Sequence, residues 1–173
     1  MTTSHSDISY FFRKPEEIPE QISEQIYGLI VRCGGVGTKW VKSNLKNAFL
    51  VGYAMDAGRL VGACVHKKPP ESYRKKIEAA TGLDLSEYLE RGYTSVDPEY
   101  RSRDIADGLI KGLIRRSEGK KIYVTIRMNN PHPLRLTYKN NMTLAATFIH
   151  PITGNVLGVF TNQGRPENLA PAG

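Results

Sequence analysis

The segment Val96-Asp97-Pro98-Glu99-Tyr100-Arg101-Ser102-Arg103-Asp104-Ile105-Ala106-Asp107-Gly108-Leu109-Ile110 holds the residues best suited to chemistry. It stands where a strand hands over to a helix. The first amides of a helix have no internal partner, and the macrodipole leaves partial positive charge there, so a phosphate or pyrophosphate can accept several N–H bonds at once. Arg101 and Arg103 add charge-assisted donors. Asp104 opposes them: a carboxylate about 5 Å from a phosphate costs roughly 3 kcal/mol at an effective dielectric of about 20. Asp is also favoured in a first helical turn, so weakened binding of a phosphate ligand is expected rather than none.

Other reactive types are scattered. Cys33 and Cys64 are too few for a disulfide framework and have no zinc spacing, so no metal is expected, and both read as core-facing thiols. His66, His132 and His150 are isolated and read as structural. Glu87 and Glu90 fall in a charged stretch that reads as the solvated face of a helix. Gly34-Gly35-Val36-Gly37-Thr38-Lys39 lacks the spacing of a phosphate loop and follows a helix instead of a strand.

The elements that must position these groups follow from periodicity. Ile8-Ser9-Tyr10-Phe11-Phe12 predicts a first strand, and Ile18, Ile22, Ile26, Leu29 and Ile30 predict a helix ending at Gly34-Gly35. A short helix around Trp40, Val41 and Leu45 leads to two apolar runs, 48–54 and 59–66, joined at Asp56-Ala57-Gly58 as a hairpin. Residues 67–91 are expected to be a two-piece helical connection, with Ile77, Leu85 and Leu89 at helical spacing around Gly82. A short strand over 92–96 stops at Asp97-Pro98, and Ile105, Leu109, Ile110, Leu113 and Ile114 mark an amphipathic helix starting near Arg103. A strand over 121–126, a helix over 133–139 and a hairpin of 143–150 with 155–161 complete the series, and 163–173 reads as a fraying tail. Helix and strand do not alternate strictly, which excludes a doubly wound fold and favours a mixed α/β (α+β) sheet of about seven strands flanked by helices.

The 173 residues are 40% hydrophobic and 24% charged, enough for one domain over 1–162. The polar Met1-Thr2-Thr3-Ser4-His5-Ser6-Asp7 and the absence of a long apolar run make a cytoplasmic location the expectation, with no membrane partner. Net charge is +7, and residues 101–127 carry eight Lys/Arg against three acids. That patch suits a phosphorylated ligand, an acidic partner or nucleic acid. With Tyr123 as its single aromatic it lacks a base-stacking surface, so nucleic acid is not the expected partner. Apolar runs such as 156–160, expected at a sheet edge, make a homodimer plausible.

The strand ending Val96-Asp97-Pro98 and the turn Arg101-Ser102-Arg103-Asp104-Ile105-Ala106 resemble the GCN5-related N-acetyltransferase family, whose phosphate turn reads Arg/Gln-x-x-Gly-x-Gly/Ala after Val-x-Pro. Leu136-Thr137-Tyr138-Lys139-Asn140-Asn141-Met142 resembles its second motif, Leu-Tyr-x-Lys-x-Gly-Phe, and the hairpin around Asp56-Ala57-Gly58 resembles its second and third strands. The chain departs from the pattern at Asp104, where a glycine is usual, at Lys139, which directly follows the tyrosine, and at Asn141-Met142. The resemblance implies an acyl-CoA N-acyltransferase fold and acetyl-CoA as co-substrate for an amine acceptor, a small molecule or a protein. It also implies coenzyme contacts from Ser95, Val96, Arg101, Ser102, Arg103, Asp104, Ile105, Ala106 and Asn130. Tyr138 is implied as the acid that protonates the departing thiolate, beside its plain reading as a core tyrosine on an amphipathic helix, and Glu90 as a general-base candidate. The opposing expectation is a module of the same fold that binds acyl-CoA or an acidic partner without turnover.

Overall fold

The computed structural model describes residues 7–163. Seven strands form a mixed sheet: β1 (Ser9–Arg13), β2 (Leu50–Asp56), β3 (Arg59–Lys67), β4 (Tyr88–Val96), β5 (Lys121–Arg127), β6 (Thr143–Ile149) and β7 (Val156–Thr161). Their order is β1-β2-β3-β4-β5-β7-β6. The helices are α1 (Glu20–Cys33), α2 (Val41–Lys46), α3 (Glu71–Thr81), α4 (Ile105–Arg116) and α5 (Pro131–Lys139). The expected mixed α/β sheet flanked by helices is therefore the architecture. None of the helices is long and apolar enough to cross a membrane, and no group of three or more His, Cys, Asp or Glu could hold a metal, among the described residues.

The chain divides into two compact units. The first takes residues up to 68 and 91–119. Antiparallel ladders join β1 to β2 and β2 to β3, and Ile26, Leu29 and Ile30 of α1 bury against Val51, Tyr53, Ala63 and Val65. Burying each such side chain is worth about 1.5–3 kcal/mol, so the apolar stripe of α1 is what fastens it to the strands. Cys64 is buried as expected, whereas Cys33 is only partly so.

The second unit takes residues 69–90 and the chain from 120. Here β4 pairs in parallel with β5 from Tyr88↔Lys121 to Glu90↔Tyr123, and β7 pairs antiparallel with both β5 and β6. The core gathers Ile77, Leu85, Tyr123 and Val159.

Two expectations are corrected. Residues 67–91 hold one helix, not two: α3 ends where Gly82 turns left-handed at φ 75°, and β4 begins at Tyr88. The four-residue spacing of Leu85 and Leu89 suits a helix. Glu78 Oε2 instead accepts the Leu85 N–H at 2.8 Å, and Asp84 accepts both the N–H and the hydroxyl of Ser86, so these local bonds turn the chain into a strand. The apolar run 156–160 is not at the edge either; β7 is enclosed by β5 and β6, and β6 is the last strand. The tail from 164 onward lies outside the described residues.

Candidate functional site

In the first unit, β4 runs out at Val96 into a short 3-10 turn, Pro98–Tyr100, begun by a proline whose absent N–H suits that place. Asp97 Oδ1 accepts the Glu99 N–H at 3.1 Å, while Oδ2 lies 2.9 Å from Arg59 Nη2. The Glu99 amide first, and then Arg59, hold its carboxyl below the usual range. Arg101, Ser102, Arg103 and Asp104 follow, all exposed.

Helix α4 starts at Ile105, two residues later than its apolar spacing suggests, and Asp104 is the N-cap. The Asp104 side chain makes no capping bond, so the first amides of α4 remain open to a ligand. Their position against β3 depends on Gly62, where an added Cβ would lie 2.7 Å from Ile105 Cγ2. The Ile105 side chain is buried, leaving its backbone for any ligand contact, and Ala106 is half-buried.

Ser102 and Asp104 both lie in the left-handed region, at φ 64° and 58°. That conformation costs an L-residue roughly 1–2 kcal/mol and Asp less than most, which explains how an aspartate occupies a place where glycine would be relaxed. The Asp104 carboxylate also acts on Tyr10, whose phenol is raised by burial first and then by Asp104 and Asp107.

Two features of β4 have no signature in the sequence. Tyr93 sits at φ 56° in mid-strand, its hydroxyl accepting a bond from Asn44 Nδ2 at 2.7 Å. Ser95 is buried and gives its hydroxyl to the Tyr93 carbonyl at 3.0 Å. Val96 is half-buried.

In the second unit, Glu90 is a strand residue and not part of a solvated helix face, being only 7% exposed. It accepts the Tyr123 hydroxyl at 3.3 Å, and Tyr123 is raised by burial and then by that carboxylate. Glu87 remains on the surface, 3.9 Å from Lys121. Tyr138 on α5 is 53% exposed, with its ring edge-on to Phe160 at 5.5 Å; it is not a core tyrosine. Asn130 is the exposed N-cap of α5. Past that helix Asn141 is left-handed at φ 60°, a region that Asn enters more readily than most residues, and Met142 is buried.

No family profile matches the chain, and no curated protein matches its sequence. Solved structures do match. An acetyltransferase of the GNAT family from Streptococcus agalactiae is 15% identical with a TM-score of 0.66, over 88% of this chain and 94% of that one. The ribosomal-protein-S18-alanine N-acetyltransferase from Escherichia coli is 13% identical with a TM-score of 0.64, over 94% and 99%. NAA60 of Arabidopsis thaliana, in complex with acetyl-CoA, is 16% identical with a TM-score of 0.63, over 88% and 98%. With seven strands in this order, a helix beginning straight after the turn 101–104, and these likenesses along nearly the whole chain, the protein has the fold of the GCN5-related N-acetyltransferases.

Proposed function

We propose that the chain is an N-acetyltransferase of that family, a single domain over 1–162 that transfers acetyl from acetyl-CoA to an amine. The observation that carries this reading is the N-terminus of α4: uncapped amides following a left-handed turn, beside two exposed arginines. Those features fit a pyrophosphate, which needs several convergent donors and positive charge. Arg101, Ser102, Arg103, Asp104, Ile105 and Ala106 would hold it, with Ser95 and Val96 at the end of β4 and Asn130 at the start of α5 as further contacts.

Acetyl-CoA supplies the acetyl group as a thioester. Tyr138 holds the proton given up to the leaving sulfur; its side chain is half-exposed, and a phenol hydroxyl can act as general acid toward a departing thiolate. Glu90, the buried carboxylate of β4, is the base candidate for the acceptor's proton. A cytoplasmic setting, and a homodimer paired through the open edge of β6, belong to the same proposal.

Calorimetric titration of the purified protein with acetyl-CoA, after mass spectrometry has shown it free of carried-over coenzyme, tests the reading. Micromolar binding is expected. No binding at millimolar coenzyme would overturn it.

A further inference from the structure

Two left-handed residues in a four-residue turn need an external anchor, since neither Ser102 nor Asp104 has the freedom of glycine. The anchor comes from the hairpin turn between β2 and β3. Asp56 and Arg59 pair with each other across that turn, and both reach the segment ahead of the phosphate turn. Arg59 Nη2 lies 2.9 Å from Asp97 Oδ2, and Nη1 lies 2.9 Å from Glu99 Oε2. Its guanidinium also stacks on Tyr100 at 5.2 Å from the ring centroid. The Tyr100 hydroxyl donates to Asp56 Oδ2 at 2.6 Å. Arg103 packs on the same ring at 4.7 Å, so Tyr100 links the hairpin to one of the two turn arginines. Arg32 of α1 approaches Asp97 at 3.8 Å, and the Asp97 N–H is bonded to the Val61 carbonyl at 2.9 Å.

We propose that Arg59 is a positioning residue for the coenzyme's pyrophosphate: it latches residues 97–100 to the β2–β3 turn, and thereby keeps the turn 101–104 and the Arg103 guanidinium in their binding shape. This rests on the coenzyme reading given above. Arg59 is not itself a phosphate ligand, because two of its nitrogens are engaged by Asp97 and Glu99. Without the latch, the turn relaxes out of its left-handed conformers, and the apparent affinity falls with the fraction of molecules still in the binding shape.

The sign of one charge change separates a latch from general electrostatics. Glu99→Gln removes a negative charge close to the phosphate turn, which by Coulomb's law alone tightens anion binding, whereas loss of a latch contact weakens it. The Glu99 side chain is 72% exposed, so this variant keeps its fold. The experiment measures acetyl-CoA affinity by calorimetry and amide hydrogen exchange over 101–106 without coenzyme, in the wild type, Arg59→Gln and Glu99→Gln. Expected are a Kd raised about tenfold in Arg59→Gln and about threefold in Glu99→Gln, with faster exchange over 101–106 in both and thermal midpoints close to wild type. Unchanged exchange over 101–106 in both variants, or tighter binding by Glu99→Gln, would overturn the latch. If the wild type binds no acetyl-CoA, the coenzyme reading fails, and the exchange data alone then decide whether Arg59 holds the turn.

Discussion

Gly62 of β3 and Ile105 of α4 are so close that a Cβ on the glycine would stand 2.7 Å from Ile105 Cγ2. The helix that offers its amides to a phosphate is thus seated on a bare stretch of backbone. Gly62→Ala pushes the start of α4 outward, and overpacking of this kind costs about 1–3 kcal/mol. Urea unfolding should show that loss of stability, and titration should show weaker acetyl-CoA binding. Wild-type values for both would mean that the Ile105 side chain yields without moving the helix.

Asp104 is held left-handed at φ 58° with its side chain uncapped, so Asp104→Gly removes both a backbone cost and a negative charge. Stability should rise by about 1 kcal/mol, and coenzyme binding should tighten about tenfold, less than the roughly 3 kcal/mol of the unscreened charge because Asp104 is exposed to solvent. Asp104→Ala is the control. It removes the charge but raises the left-handed penalty, which Asp bears better than Ala, so its affinity should rise while its thermal midpoint falls.

His66 is fully buried, with Nδ1 2.5 Å from Ser117 Oγ, and that hydroxyl donates onward to the Leu113 carbonyl at 2.7 Å. The imidazole therefore donates from Nδ1, and Nε2 is buried without a partner among the described residues. Burial first, and the Arg91 charge second, lower its pKa from 6.5 to about 3. The sign follows from proton counting: below pH 6.5 the unfolded chain binds a proton at His66 that the folded chain refuses, so stability falls as pH drops from about 6.5 toward 3. The slope from this residue approaches about 1.4 kcal/mol per pH unit. Denaturation at pH 7, 5.5 and 4 should show a shallower loss in His66→Gln than in the wild type, and parallel curves would clear His66.

Tyr138→Phe keeps the edge-on ring contact with Phe160 at 5.5 Å and removes only the hydroxyl. If Tyr138 is the acid, kcat should fall by about a hundredfold while the coenzyme Kd changes less than twofold. Full turnover in this variant would remove Tyr138 from the mechanism.

Much of the frame was written locally. The apolar runs across Asp56-Ala57-Gly58 specify β2 and β3, and the stripe from Ile105 to Ile114 specifies α4, because strand alternation and the 3.6-residue period are short-range properties. Val96 to Ala106 could be read as a strand-to-helix handover for the same reason. Tertiary structure decided what local pattern left ambiguous. Leu85 and Leu89 have the spacing of a helix, and it is the Glu78 bond to the Leu85 amide and the pairing of Tyr88, Leu89 and Glu90 with β5 that begin a strand here, with Glu90 buried in it. The left-handed backbones of Ser102, Asp104 and Asn141 have no signature in residue type, although Asp and Asn tolerate that region better than most. Arg59 reaches Asp97 and Glu99 from about forty residues away, a contact that exists only once the hairpin and the end of β4 have folded side by side.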